Sequence, residues 1–153
     1  FGTALTTLVA TNMGAGQRER ALRAAWTGAA MVALITGTIG TVAALSPALW
    51  MNAFSPDPAV RAFGADYLRI VGPSYGLFGL GLALFFASQG AGRMAWPLAG
   101  SMARVAVVAG GGWLVVHHFT LPATGFFWVI AAGFTVYAAL IGGAIALGRW
   151  AQR

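Results

Sequence analysis

Along most of this chain the apolar residues do not alternate with polar ones; they run on. No Asp, Glu, Lys or Arg occurs from Ala24 to Pro56, from Ile70 to Gly92, or from Val105 to Gly148, which gives stretches of 33, 23 and 44 residues. About 20 apolar residues cross a bilayer as a helix, so the stretches hold one, one and two crossings. The last divides at HHFTLPATG, His117 to Gly125, where polar groups and Pro122 interrupt the apolar text. The pattern predicts membrane helices over about 24–50, 62–89, 96–117 and 126–148. The opening FGTALTTLVATNM, 13 residues, is too short to span and is expected to be the end of a helix that begins earlier. With Phe1 where a methionine would start a chain, residues 1–153 are expected to be part of a longer polytopic protein.

The aromatic residues fit this division. Indole rings favour the headgroup region at both membrane faces. Trp26 and Trp50 bracket the first span, Trp96 and Trp113 the third, Trp128 and Trp150 the fourth. At 1.5 Å per residue these pairs stand roughly 36, 26 and 33 Å apart, against about 30 Å of hydrocarbon. The second span has Tyr67 and Tyr75 near one end instead.

Composition agrees: 59% of residues are apolar, only 8% are charged, and the mean hydropathy is +0.78. There is too little polar surface to cover a water-soluble domain. A net charge of +6 raises the question of nucleic acid. The arginines sit at helix ends rather than in a patch, so nucleic acid drops out as a partner and membrane lipid takes its place. Arg18, Arg20 and Arg23 precede the first span, Arg93 lies between the second and third, and Arg149 and Arg153 follow the fourth. The excess of arginine on cytoplasmic loops then predicts a multi-pass protein of the cytoplasmic membrane with its C-terminus inside. The chain has no cysteine, so neither disulfides nor thiol chemistry arise.

Gly-Ala-Gly before arginine is written twice, in ATNMGAGQRER from Ala10 and in ASQGAGRMAW from Ala87. A glycine in the left-handed conformation ends a helix without steric cost, so each motif reads as a cap at a membrane face. Two spans separate them, which returns both to the same side. QRERALRAAW after the first motif reads as a short interfacial helix with Glu19 and Arg23 paired four apart. A phosphate-cradling loop would need the lysine and hydroxyl of G-x-x-x-x-G-K-[ST], and neither is present.

TLVATNMGAGQRERALRAAW, SPDPAVRAFGADYLRIVGPSYGLFGL and FFASQGAGRMAWPLAGSMAR, taken in order, resemble the C-terminal half of the multidrug and toxic compound extrusion (MATE) transporters. The resemblance runs the length of the chain. It implies an all-α integral membrane bundle, the end of an eighth helix and helices nine to twelve of a twelve-helix protein. It further implies secondary active efflux of organic cations or amphipathic drugs in exchange for Na⁺ or H⁺ by alternating access. The N-terminal half of the same chain would then be its partner. No cofactor is implied.

Candidate residues follow. Gly72, Gly76 and Gly79 lie at i, i+4 and i+7 and make a smooth packing stripe, Ala139 and Gly143 a shorter one, and Pro73 should kink the second span. Some relatives of this kind place an acidic cation ligand in the matching helix, but Ile70 to Gly92 contains no acid. The coupling ion is therefore expected to bind outside these residues. Pro97 as first helical residue puts Arg104 about 10 Å deep, where it either snorkels to the interface or lines the cavity. Tyr75, Ser88, Gln89 and Met102 are candidates for sparse polar and soft contacts to cargo.

GPSYG, Gly72 to Gly76, matches G-x-S-x-G, and Ser74 with His117 or His118 would make a membrane serine hydrolase. The strand-turn-helix setting and a following acid are both lacking, so no enzyme is expected. Neighbouring histidines point about 100° apart on a helix and chelate poorly, so no metal site is assigned. A lipid-linked sugar flippase shares the architecture but would want several cationic groups in its cavity. A small non-transporting membrane subunit is the remaining alternative.

Overall fold

The computed structural model describes residues 1–117 and 123–148. Every regular element among them is helical: α1 (Gly2–Gly14), α2 (Arg18–Leu45), α3 (Pro47–Phe54), α4 (Pro58–Val71), a 3₁₀ turn over Gly72–Ser74, α5 (Tyr75–Gly90), α6 (Ala95–His117) and α7 (Ala123–Ala146). Four segments are long and apolar enough to cross a membrane: Arg18–Leu45, Pro58–Gly90, Ala95–His117 and Thr124–Ala146. The expected His118, Pro122, Arg149, Trp150 and Arg153 features lie outside the described residues.

Proline and glycine set the boundaries. Pro47 cannot donate to a preceding turn and disfavours helix at Ser46, whose φ and ψ are −131° and 56°. The first long helix therefore ends at Leu45, and Trp50 belongs to α3 rather than to a span reaching residue 50. Its start is also earlier than expected. QRERALRAAW is no separate interfacial helix, because α2 begins at Arg18 and runs without a break through Leu45. Glu19 in the first turn accepts from Arg23 at 3.0 Å, and both side chains are exposed. At α4, the Asp57 carboxylate accepts from the Ala59 N–H at 2.8 Å and Pro58 fills the first position, where a missing N–H costs nothing.

Both Gly-Ala-Gly motifs form one cap. Gly16 has φ +73° and Gly92 +67°. In each, the glycine N–H bonds three residues back and the next residue's N–H five back: Gly16 to Met13 and Gln17 to Asn12, Gly92 to Gln89 and Arg93 to Ser88. The paired bonds close carbonyls that a helix end leaves open. Gly148, with φ +72°, ends α7 with the same three-back bond, to Ile145.

α5 stands at the centre, packed on α1, α2 and α7, while α6 reaches the bundle through α7. The buried core runs between them: Leu5 and Val9 from α1, Ala25 and Ala29 from α2, Leu84 and Ala87 from α5, Ile141 and Ile145 from α7. α1 runs alongside the end of α5 in the same direction, with Gly2 against Phe86 and Gly90 against Thr6. The two Gly-Ala-Gly turns therefore share one end of the bundle. α2 runs the other way along α5, with Gly40 opposite Gly72, Gly37 opposite Gly76 and Thr36 opposite Gly79. Carried onward, this register sets Gly90 level with about residue 25, so the charged start of α2 projects roughly 10 Å beyond it. Away from the core, Leu34, Ile35, Ile39, Val42 and Leu45 are exposed, with Leu34 at 70%. An apolar face of this extent on a long helix suits lipid or another apolar helix.

Candidate functional site

Two features of the bundle depart from plain helix packing. The first is the break in the second span. Pro73 has no N–H to give the preceding turn, and the chain tightens into 3₁₀ geometry over Gly72–Ser74 before resuming as α5. The Ser74 hydroxyl donates to the Val71 carbonyl at 2.6 Å, and the Thr36 hydroxyl reaches across from α2 to the Tyr75 carbonyl at 3.0 Å. Side-chain hydroxyls thus bond carbonyls at the break and just past it, which suits an apolar surrounding. The face turned to α2 carries almost no side chain. A Cβ on Gly72 would stand 2.5 Å from the Gly40 carbonyl oxygen, and one on Gly76 would stand 3.2 Å from both the Ala33 oxygen and the Gly37 Cα. At Gly79 it would overlap the Thr36 hydroxyl. The three glycines of the stripe therefore meet backbone and one threonine of α2.

The second feature is Arg104. α6 begins at Ala95, two residues before Pro97, so Arg104 lies nine residues in, about 14 Å along the axis. Its guanidinium sits over two rings, 5.5 Å from the Phe78 centroid and 5.4 Å from that of Tyr137. Those residues are twelve and nine positions from the same end of α5 and α7, roughly 18 and 14 Å deep. The guanidinium is therefore held beside rings that stand about 14–18 Å from that end of the bundle. Gly133 makes the room: a Cβ there would meet Val108 at 2.8 Å and the Arg104 Cγ at 3.4 Å. Beside the guanidinium opens a groove of about 590 Å³ between α6 and α7, lined by Val105, Val108, Gly112, Phe126, Ile130 and Phe134, with His117 at its far end.

An arginine at the centre of a membrane helix costs on the order of 3 kcal/mol. Each desolvated ring contact returns about 0.5–2 kcal/mol. The two rings thus offset much of the cost without neutralising the charge. No carboxylate faces it among the described residues: Glu19 pairs with Arg23, Asp57 caps α4, and Asp66 lies 3.6 Å from Arg69. Asp66 is 24 residues from Gly90, about 36 Å, which is beyond the hydrocarbon.

The other expected contacts scatter. Tyr75 is half-buried and its hydroxyl donates to the Tyr67 hydroxyl at 3.3 Å, with Phe134 6.5 Å from its ring. Ser88 is fully buried in α5, its hydroxyl without a hydrogen-bond partner. Gln89 is exposed in the cap at the end of α5, and Met102 is 74% exposed and does not line the groove. Arg104 alone of the five does. Among the described residues the expected stripe of Ala139 and Gly143 meets no partner helix: a Cβ on Gly143 would have nothing within 4 Å, while Gly142 faces Leu84 and Trp26. Sequence reasoning also missed Phe78, Tyr137 and Gly133, since an aromatic or a glycine in an apolar helix carries no mark of the charge it will meet.

Ser74 and His117 are not brought together as a dyad. Ser74 is spent on Val71, and the turn that holds it packs on α2, α4 and α7. His117 stacks on Trp113 at 5.0 Å and bonds its carbonyl at 3.1 Å.

A helical bundle with four segments long and apolar enough to span, a broken helix seated on glycine and an open groove between two helices defines a multi-pass membrane protein. A family model described as MatE matches residues 1–114. The chain belongs to the MatE family and is a transporter of the MATE superfamily. No curated protein and no solved structure matches it. α7, which supplies Tyr137 and half of the groove, lies past the matched residues.

Proposed function

We propose that this chain is the C-terminal lobe of a secondary active efflux antiporter, which exports amphipathic compounds and organic cations in exchange for Na⁺ or H⁺ by alternating access. The observation that carries this is the 3₁₀ break at Gly72–Ser74 seated on Gly37 and Gly40. A helix interrupted within its membrane span can change its bend, and a glycine contact lets it move against its neighbour. In this reading the arginine-rich ends, with both Gly-Ala-Gly turns, face the cytoplasm. The coupling carboxylate comes from a preceding N-terminal half, since the three acids of this chain are a helix cap and two exposed partners of arginine.

The full natural chain in proteoliposomes tests this. Ethidium should move against its gradient when an opposed Na⁺ or H⁺ gradient is imposed, and stop when the gradient is collapsed. Movement indifferent to both gradients would defeat the antiport reading. A lipid-linked sugar flippase would want several cationic groups where this lobe offers the lone Arg104; in that reading the same vesicles would translocate a fluorescent lipid-linked sugar and leave ethidium in place.

A further inference from the structure

We infer that the groove between α6 and α7 binds an amphipathic organic anion, with its carboxylate head on Arg104 and its apolar body directed toward His117. The groove has a charged end and an apolar run. Arg104 offers a guanidinium fixed over Phe78 and Tyr137, with donors in a planar fork that suits a carboxylate. The described residues supply no counter-ion: each of the three acids is committed elsewhere. From Arg104 to His117 the helix advances about 20 Å, and the wall between them is Val108, Gly112, Ile130 and Phe126. Its volume of about 590 Å³ lies in the range of small-molecule sites.

Charge and depth together choose the occupant. An organic cation would meet the guanidinium head-on in a low-dielectric site, where like charges repel strongly. A phospholipid held in its leaflet keeps its phosphate at the interface, and the two rings hold the guanidinium about 14–18 Å from the end of the bundle. A single-chain carboxylate has no such tether. The inference rests on the transporter reading only for what the bound anion is, namely cargo. Binding itself needs no gradient.

The test is equilibrium binding of radiolabelled dodecanoate to the full natural chain in a non-ionic detergent, without any ion gradient. Dodecanoate should bind saturably, and unlabelled dodecyltrimethylammonium and phosphatidylglycerol should not displace it. Arg104→Gln should weaken it by about tenfold or more, the scale of one lost charged hydrogen bond. Arg104→Lys should keep most of the affinity, and Ala109→Phe, which fills the groove and leaves the charge in place, should abolish binding. All variants are compared as monodisperse protein; should Arg104→Gln fail to fold, Arg104→Lys and Ala109→Phe decide. Unchanged binding in Ala109→Phe, or displacement by the cation or by phosphatidylglycerol, would overturn the inference. Saturable binding with no gradient-driven transport would leave the site standing and remove the antiporter.

Discussion

Gly90 lies against the carbonyl of Thr6, so closely that a Cβ would overlap the oxygen and stand 3.1 Å from its carbon. The Thr6 hydroxyl meanwhile donates to the Phe86 carbonyl at 3.0 Å, so α1 and α5 touch through backbone on both counts. Gly14 holds the same place in the first Gly-Ala-Gly and faces open space. Gly90→Ala should therefore destabilise the protein by about 1–3 kcal/mol. Gly14→Ala should leave stability unchanged or raise it by up to about 1 kcal/mol through helix propensity. Thermal unfolding of the purified protein in detergent reads both; equal effects would mean that the two helices do not meet there.

The third residue of each motif answers to a different constraint. Gly16 and Gly92 have positive φ, and an alanine in that conformation costs about 1–2 kcal/mol. Gly92→Ala should speed amide exchange at Gly92 and Arg93, whose N–H groups close the cap, and Gly92→Asn should be milder.

At the seam between α2 and α5, Gly40→Ala would drive a methyl into the Gly72 carbonyl and to 3.0 Å from the Tyr75 Cβ. A loss of about 1–3 kcal/mol is expected, against none for Gly143→Ala, where the space is empty. Denaturant unfolding with matched detergent compares the pair.

Thr36→Val keeps the shape of the side chain and removes the donor to Tyr75 and Val32. Hydrogen bonds between membrane helices average about 0.6 kcal/mol, so stability should fall by roughly 0.5–1.5 kcal/mol. Faster amide exchange confined to residues 75–79 would place the effect at the break; exchange spread over all of α5 would contradict it.

Topology can be read directly, because the chain contains no cysteine. With Arg93→Cys and Arg61→Cys in the full protein, an impermeant maleimide should label residue 61 in intact cells. Residue 93 should react only after the inner face is opened. The reverse pattern would invert the assigned orientation.

Much of the bundle was legible because its signals are one-dimensional. Charge-free length gave the four crossings, and Gly16 and Gly92 announced their turns through the only residue that takes positive φ at no cost. The stripe of Gly72, Gly76 and Gly79 was readable from spacing, though its partners Gly37 and Gly40 were not, since pairing depends on register between segments. The continuity of α2 through Arg18–Ala25 was missed for a related reason: charge marks where the membrane ends and not where the helix does. Arg104 stood out as a charge, but its depth and its ring partners come from three helices meeting. Ser88, Gln89 and Met102 carry no sign in the sequence of where folding sets them: one buried in α5, one exposed in its cap, one exposed on α6.

The seam on α5 has one more property. On α2, Ala33, Gly37, Gly40 and Ala44 recur about once per turn, so a slip of a single turn would set Gly76 against Gly40, Gly79 against Gly37 and Gly72 against Ala44. The contact after the slip would again join only the smallest residues. The slip would have to release the Thr36 hydroxyl from the Tyr75 carbonyl, which leaves these two helices teeth spaced by the helical pitch and one hydrogen bond as their latch.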